Sequence, residues 1–279
     1  MLLLSGKEVQ EYLKDELEKK IEHLGVVPKL VILQIGDNEQ SNVYIKRKKK
    51  FGEELGIAVE HRKFEENIKE EDLLKNIEKY NQDKTVGGII VQLPIPKNLN
   101  KSNVLNAITL KKDVDGLGVV QTGLFYSGDS QAITPATARG IISLLDFYKI
   151  NLESKNVVVI GRSSLVGRPV GEMCLKRNAT VTICHSHTKD LKEITKKADI
   201  LIVACGVPCL VDSSYVKEGQ VVVDVGIHRT RGGLCGDVDF DDVKNIISAI
   251  SPVPGGVGPL TVVSLFQNLV DCTVDMQKS

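Results

Sequence analysis

The chain has 279 residues, and its 36 Lys and Arg residues balance 36 Asp and Glu residues, which argues against a protein held to nucleic acid by phosphate attraction. Hydrophobic residues make up 42% and charged residues 26%, a composition typical of a globular protein long enough for two domains. No uninterrupted apolar run approaches the ~20 residues of a membrane span, and the opening Met1–Leu4 is too short for a signal peptide.

The first half of the chain alternates between helix and strand patterns. Helices are indicated by apolar side chains at helical spacing, and strands by short apolar runs that end near glycine or proline. The predicted elements are helix 8–22, strand 30–35, helix 42–55, strand 57–62, helix 70–80 and strand 87–93. Strands separated by helices predict a mostly parallel sheet with helices on its faces.

The second half repeats this alternation more clearly. Its predicted elements are helix 136–148, strand 156–160, helix 167–177, strand 180–184, helix 189–196, strands 199–204 and 220–225, and helix 261–276. The order is the βαβαβ pattern of a Rossmann-type dinucleotide-binding domain. We therefore predict two α/β domains: residues 1–120 with 260–279, and residues 136–259, joined by an interdomain segment over 121–135.

The six cysteines all lie in the second half of the chain, and no Cys-x-x-Cys pair occurs among them. They fall in apolar strand or helix contexts and do not frame short loops. This pattern favours free, buried thiols in a reducing compartment over a framework of disulfides.

A candidate phosphate-binding turn follows the predicted strand 156–160. Gly161 allows a tight turn and a close approach of the backbone, and Gly167 opens a helix whose free N–H groups favour an anion. The spacing is G-x5-G and not G-x-G-x-x-G, so the strand–turn–helix order carries the prediction. The alternative is a tight turn that binds no ligand.

The residues after the next strand bear on the choice of dinucleotide. NAD sites usually place a carboxylate there to bind the ribose 2′-hydroxyl, but this strand is followed by His185, Ser186 and His187. Arg162 offers a cation and Ser186 a hydroxyl, a combination that favours the 2′-phosphate of NADP. The alternative for Arg162 is a solvated loop arginine.

A lysine inside the basic run 46–50 stands apart from its neighbours. At 100° per residue, Tyr44, Lys48, Phe51 and Leu55 share one stripe of the predicted helix, whereas Lys46, Lys49 and Lys50 point elsewhere. Desolvation on an apolar face lowers the pKa of a lysine towards a range useful for proton transfer. The alternative is a lysine whose stem packs beside a core tyrosine while its amine reaches water.

Other polar residues lie where strands end. Gln92 ends the apolar strand 87–93, at the edge where open α/β sheets bind ligands, although it could instead cap a loop carbonyl. Asp115 lies before Gly116 as a charged acceptor for ligand N–H groups, because the loop lacks the remaining ligands of a calcium site. The bare loop 252–259 allows a ligand to approach the backbone closely. No metal site is predicted.

Taken together, these motifs resemble the bifunctional methylenetetrahydrofolate dehydrogenase/cyclohydrolase family along nearly the whole chain. The motifs that carry the resemblance are Tyr44-x-x-x-Lys48, Val91-Gln92-Leu93-Pro94, Lys112-Asp113-Val114-Asp115-Gly116, Gly161-Arg162-Ser163 with Val166-Gly167 and Pro169, Cys184-His185-Ser186, and the loop Pro252–Pro259. Each motif alone is weak, but six of them in order are highly specific.

The resemblance implies two activities in one cleft between the domains, in a cytoplasmic homodimer. NADP oxidises 5,10-methylenetetrahydrofolate to 5,10-methenyltetrahydrofolate, which is then hydrolysed to 10-formyltetrahydrofolate. It further implies that Lys48 is the general acid/base, that Gln92 tunes Lys48, that Tyr44 stacks near the folate ring and that Asp115 holds the pterin. The remaining implied binding residues are Gly161, Arg162, Ser163, Ser186 and Ile227 for NADP, and Pro254, Gly255 and Gly256 for the substrate.

The sequence departs from the usual family pattern at four positions. Ile133 replaces a frequent cysteine, Gln121 an asparagine, Leu110 a proline and His228 an asparagine. None of them is a predicted catalytic residue. Two alternatives differ from the bifunctional enzyme: a dehydrogenase without the hydrolytic step, against which Lys48 argues, and a dinucleotide-binding protein without catalysis.

Overall fold

A computed structural model describes residues 1–230 and 233–277. The chain forms two compact units, one built from Met1–Tyr12 with Thr137–Thr261 and the other from Leu13–Ala136 with the chain from Val262 onward. The described elements are β1 (Leu2–Leu3), α1 (Gly6–His23), β2 (Lys29–Ile35), α2 (Glu39–Glu54), β3 (Ala58–Phe64), α3 (Glu70–Gln82), β4 (Val86–Val91), α4 (Lys101–Asn106), α5 (Val119–Ser127), α6 (Ala136–Phe147), β5 (Asn156–Ile160), α7 (Gly167–Lys176), β6 (Thr180–Cys184), α8 (Leu191–Lys197), β7 (Ile200–Val203), β8 (Val221–Asp224), β9 (His228–Thr230), β10 (Gly233–Cys235), α9 (Phe240–Val243), β11 (Ala249–Ile250) and α10 (Val257–Gln277).

The unit that contains β2, β3 and β4 is called the three-stranded unit. Its strands are parallel in the order β3-β2-β4. The apolar side chains of β2 and β4 are buried against those of α3 and α4, including Leu73, Ile77 and Val104. The five helices and strands predicted over residues 30–93 are present with shifted ends, whereas α5 falls in the segment predicted to join the domains.

The other unit is called the six-stranded unit, because its sheet has the order β1-β11-β8-β7-β5-β6 with every pairing parallel. β7 is buried along its whole length, as are four of the five residues of β5, which explains their continuous apolar sequence. The predicted α/β class with a Rossmann-type second domain is confirmed. The antiparallel pair β9–β10 was not predicted.

Residues 1–12 group with the six-stranded unit, whereas the sequence prediction placed them in the first domain. Leu2 pairs with Ala249 and Leu3 with Ile250, so β1 extends the sheet beyond β11. A strand of two residues has no periodicity, and its partner lies almost the full chain away. The sequence pattern therefore could not indicate this pairing.

Helix α10 is long and apolar enough, by length and composition, to cross a membrane, and it is the one such helix among residues 1–230 and 233–277. However, 67% of its most apolar window is buried inside the protein. Helices that are apolar on most sides and packed within a protein are typical of globular cores.

All six cysteines are free thiols, as predicted. Cys174, Cys184 and Cys272 are buried, but Cys205 and Cys235 are half-buried and Cys209 is exposed. The expectation that the thiols are buried is therefore wrong for half of them. Cys209 lies in a loop after β7. Its apolar neighbours in the sequence suggested a strand or helix, but they form neither.

Candidate active site

Lys48 lies on the buried face of α2. This helix begins after Asn38, whose side chain accepts a hydrogen bond from the backbone N–H of Ser41 at 3.0 Å. Lys48 is 8% exposed and Phe51 is 5% exposed, whereas Lys49 is exposed. The predicted buried stripe is confirmed, including Leu55 just beyond the helix and the half-buried Tyr44.

Gln92 holds the amine of Lys48. Lys48 Nζ donates to Gln92 Oε1 at 3.0 Å, and Gln92 Nε2 donates to the carbonyl oxygen of Leu93 at 3.0 Å. The second bond fixes the amide so that its oxygen faces the amine. Both functions considered for Gln92, a bond to a loop carbonyl and a polar contact at the strand end, are therefore present together.

Burial and charge oppose each other at Lys48 and Asp115. Burial lowers the pKa of Lys48, and the Asp115 carboxylate acts in the opposite direction. Burial likewise raises the pKa of Asp115, and Lys48 opposes that shift. Because desolvation is the larger effect on both groups, the neutral amine is favoured relative to a lysine in water.

The loop that carries Asp115 is fixed by the neighbouring carboxylate of Asp113. Asp113 accepts backbone N–H bonds from Gly116 at 3.0 Å, Leu117 at 3.3 Å and Gly118 at 2.8 Å. Burial raises the pKa of Asp113 to about 6 in spite of these bonds. This function of Asp113 was not predicted, although an Asp three residues before a Gly is typical of such a turn.

Lys112 fixes the start of the same loop. Its Nζ donates to three carbonyl oxygens at the end of α3, those of Tyr80 at 2.9 Å, Asn81 at 2.6 Å and Asp83 at 2.7 Å. A lysine that bonds the last carbonyls of a helix stabilises both the helix end and its own backbone position. Lys112 is therefore a structural residue beside the site.

Asn268 of α10 holds the other side of this region. Its Nδ2 donates to the carbonyl oxygens of Val114 and Thr134, each at 2.9 Å, and the residue is 0% exposed. Asn268 was not among the predicted site residues. The available signal was a large polar side chain within an otherwise apolar helix.

We expect Asn268→Ala to lower the free energy of unfolding by about 2–4 kcal/mol, because two buried carbonyls lose their donor and a cavity remains. Urea unfolding measures this change. Gln277→Ala is the control on the same helix, since its exposed amide bonds the Leu24 carbonyl at 3.0 Å and its loss should cost less than about 0.5 kcal/mol. Equal losses for both variants would contradict the assigned function of Asn268.

Three of the four departures from the family pattern form one hydrogen-bonded group. Gln121 is 3% exposed, and its Nε2 donates to the Leu110 carbonyl oxygen at 3.0 Å. Its Oε1 accepts from the backbone N–H of Ile133 at 3.0 Å. Glutamine is longer than the asparagine usual at this position, and it connects the backbone at Leu110 to the backbone at Ile133. The fourth departure, His228, contacts Asp237 Oδ1 through Nε2 at 2.7 Å.

The glycines of the predicted phosphate-binding turn are required by close backbone contacts. Gly161 has φ +125°, and a Cβ there would overlap the Ala204 carbonyl at the end of β7. A Cβ on Gly167 would overlap the Gly161 carbonyl. Ser163 Oγ accepts the backbone N–H groups of Val166 at 3.2 Å and Gly167 at 3.4 Å, at the beginning of α7.

Arg162 and Ser186 follow neighbouring strands. Ile160 pairs with Cys184, and each of the two residues lies two positions beyond its strand partner. Both are exposed, and residues 185–188 contain no carboxylate. The structure therefore brings a cation and a hydroxyl to one sheet edge beside the turn. Ile227, which follows β8, is 39% exposed.

The predicted substrate loop is part of the six-stranded unit, unlike Lys48, Gln92 and Asp115, which belong to the three-stranded unit. Gly255 has φ +104°, and its carbonyl accepts the N–H of Gly6 at 2.8 Å. A Cβ on Gly6 would overlap the Gly256 carbonyl. The loop that includes Pro254 is thus packed against the start of α1.

Comparisons with known proteins agree with these features. Residues 4–115 match the tetrahydrofolate dehydrogenase/cyclohydrolase catalytic domain, and residues 135–277 match the NAD(P)-binding domain of the same family. A bifunctional protein FolD from Agathobacter rectalis is 47% identical over 273 residues, covering 96% of this chain and 98% of the relative.

Solved structures give the same result. The bifunctional FolD enzyme of Campylobacter jejuni is similar with a TM-score of 0.96 and 43% identity, covering 99% of each chain. The methylenetetrahydrofolate dehydrogenase-cyclohydrolase of Trypanosoma brucei, solved with NADP and an inhibitor, has a TM-score of 0.94 and 30% identity over 100% of this chain and 99% of that one. The chain therefore belongs to the tetrahydrofolate dehydrogenase/cyclohydrolase family.

Proposed function

We infer that this protein is a bifunctional enzyme of folate one-carbon metabolism. It oxidises 5,10-methylenetetrahydrofolate to 5,10-methenyltetrahydrofolate with NADP, and it hydrolyses the product to 10-formyltetrahydrofolate. The observation that carries the hydrolytic activity is the buried Lys48 amine, held 3.0 Å from the Gln92 oxygen.

We assign the proton transfers of hydrolysis to Lys48. Water adds to the positively charged methenyl carbon and must lose a proton, and the departing ring nitrogen must gain one. A neutral amine can accept the first proton and return it to the nitrogen, while the second water proton is released to solvent as the formyl C=O forms. The lowered pKa of Lys48 favours the neutral amine. Gln92 accepts a hydrogen bond from the amine and so keeps it in one position.

The same proposal gives Asp115 and Tyr44 binding functions. Asp115 accepts the N–H groups of the pterin, because a carboxylate on a fixed loop matches a planar set of donors. Tyr44, half-buried one turn before Lys48, stacks near the folate ring. Both residues align the carbon that reacts, which is a requirement of both activities.

The residues of the six-stranded unit fit NADP. The beginning of α7 and the close-packed Gly161 offer a phosphate-binding backbone, while Arg162 and Ser186 lie where a 2′-phosphate needs positive charge and donors. When bound, NADP supplies the hydride acceptor. We propose that Gly161, Arg162, Ser163, Ser186 and Ile227 bind it, and that Pro254, Gly255 and Gly256 contact the substrate.

We further propose that residues 1–120 with 260–279 form the folate-binding domain and that residues 136–259 form the NADP-binding domain. The protein is proposed to act as a cytoplasmic homodimer without nucleic-acid or membrane partners. Its zero net charge and the burial of α10 support the last two points. Light scattering tests the proposed homodimer, because the molecular mass measured in solution must then equal that of two chains.

A direct assay tests the two activities. The purified protein is mixed with NADP and 5,10-methylenetetrahydrofolate, and the absorbance of the methenyl product is recorded. Hydrolysis is followed separately as the loss of that absorbance from added 5,10-methenyltetrahydrofolate. We expect both signals to depend on enzyme concentration. Dehydrogenase activity without hydrolysis would limit the function to the first step.

Replacement of Arg162 tests cofactor choice. Arg162→Ala should weaken NADP binding by about 1–3 kcal/mol and leave NAD binding unchanged, because only NADP loses a charge-assisted contact. Titration of each cofactor measures the affinities. Lys155→Ala is the control, since this exposed lysine precedes β5 and lies at the opposite end of the strand. Equal losses for NADP and NAD would exclude 2′-phosphate recognition by Arg162.

A further inference from the structure

Two of the free thiols, Cys209 and Cys235, are neighbours. Cys209 N donates to the carbonyl oxygen of Gly236, the residue that follows Cys235, at 3.1 Å, and the Cys235 thiol raises the pKa of Cys209. Cys209 is exposed and Cys235 is half-buried, so reagents in solution can reach the pair. Neither residue has a part in the proposed folate or NADP chemistry.

The backbone holds the two thiols in a fixed register. Val211 and Val238 form a parallel bridge, and Cys209 N donates to the Gly236 carbonyl oxygen at 3.1 Å. Asp239 N in turn donates to the Val211 carbonyl at 2.8 Å. The two cysteines therefore lie on neighbouring backbone segments, with Cys209 beside Gly236 and one residue from Cys235.

The remaining cysteines differ from this pair. Cys174, Cys184 and Cys272 are buried. Cys205 is half-buried, and burial together with the nearby Asp237 carboxylate raises the pKa of Cys205 to about 11. Among the six cysteines, all of which the structure describes, Cys209 and Cys235 are therefore the pair that combines accessibility with a neighbouring thiol.

We propose that Cys209 and Cys235 form a reversible intramolecular disulfide by exchange with a small oxidised disulfide such as glutathione disulfide. The Cys209 thiolate attacks one sulfur of the small disulfide, and one small thiol leaves. The Cys235 thiolate then attacks Cys209 in the mixed disulfide, and the second small thiol leaves. The protein loses two protons and two electrons, and the small disulfide is reduced to two thiols.

The disulfide connects two segments of the six-stranded unit. Cys209 belongs to the loop after β7, and Cys235 ends β10. Asp237 already links the same regions, because its carboxylate accepts the N–H groups of Cys205 at 2.8 Å and Gly206 at 2.9 Å. The covalent bond therefore adds to an existing connection between these two segments.

The exchange should be faster at alkaline pH. Burial of the sulfur, the adjacent Cys235 thiol and the carboxylates of Asp239 and Asp224 all raise the pKa of Cys209. The attacking species is the thiolate, so its fraction grows about tenfold for each pH unit below that pKa. This dependence gives the experiment a second observable.

The full-length protein is incubated with glutathione disulfide at pH 7 and pH 9 and then alkylated, digested and analysed by mass spectrometry. We expect one peptide pair cross-linked through Cys209 and Cys235, formed faster at pH 9 and removed by dithiothreitol. Cys209→Ser should lose the cross-link. Cys235→Ser should instead accumulate one glutathione adduct on Cys209, because the second thiol is missing.

Cys205→Ser is the matched control, since Cys205 lies four residues from Cys209 and is also partly accessible. It should retain the cross-link of the unaltered protein. Glutathione adducts without a cross-link in the unaltered protein would overturn the proposal, as would a cross-link that needs Cys205 and not Cys235. Neither result depends on the folate reactions. The disulfide proposal can therefore be contradicted while the proposed function stands, and the reverse is also true.

Discussion

Lys48→Met should lower cyclohydrolase activity about 10²–10⁴-fold while the protein still folds and binds NADP. Methionine keeps the length and apolar packing of the side chain, but it cannot carry a proton. Dehydrogenase activity should fall less, because hydride transfer depends mainly on alignment of the methylene carbon, and Tyr44 and Asp115 remain. Methenyl hydrolysis and methenyl formation are measured on the same preparation.

Lys49→Met is the control, one residue along and exposed, and both activities should remain near their original values. The pH profile supplies a second measurement. Because burial lowers the pKa of Lys48, hydrolysis should increase as pH rises through that lowered pKa, before the pKa of an ordinary lysine is reached. A harmless Lys48→Met together with a damaging Lys49→Met would contradict the assignment of the general base.

Asp115→Ala should raise the KM for folate about 10²–10³-fold and reduce both activities together, because the pterin N–H groups lose a charged acceptor and remain unpaired. Steady-state kinetics with each folate substrate measures this effect. The effect differs from that of Lys48→Met, which separates the two activities.

Asp129→Ala is the control for Asp115, since it removes an exposed carboxylate from the same three-stranded unit. Its kinetics should match those of the unaltered enzyme. The Asp113 turn must also remain intact in Asp115→Ala, which unchanged thermal unfolding would show. An unchanged folate KM with normal activity would exclude the binding function proposed for Asp115.

Much of the fold could be predicted because strands such as β2, β4 and β5 are short apolar runs that end near glycine or proline. β5 and β6 were predicted with their observed bounds, and the stripe through Lys48 follows from helical spacing alone. The short strands β1 and β11 and the antiparallel pair β9–β10 were missed, because strands of two or three residues show no periodicity that would indicate their pairing.

Some residues of the site could not be predicted from the sequence for a similar reason. Lys48, Gln92 and Asp115 could be found because each is a polar residue in an informative local context. Lys112 and Asn268 act through backbone groups of other segments, and local spacing gives no information about those partners. The connection that Gln121 makes between Leu110 and Ile133 is another such case. Asp113 was missed although its partners are local, in the turn that ends at Gly118.

The pairing of β1 with β11 has a consequence for synthesis on the ribosome. Leu2 and Leu3 leave the ribosome long before Ala249 and Ile250 exist, so β1 has no partner strand for most of translation. Packing in the three-stranded unit is also incomplete until late in translation, because Phe51 packs on Phe266 of α10 with ring centroids 5.3 Å apart. At about 5–20 residues per second, the N-terminal segment waits roughly 12–50 s. The apolar surfaces that β11 and α10 cover stay open during elongation, so nascent chains should need protection from aggregation until those elements have emerged.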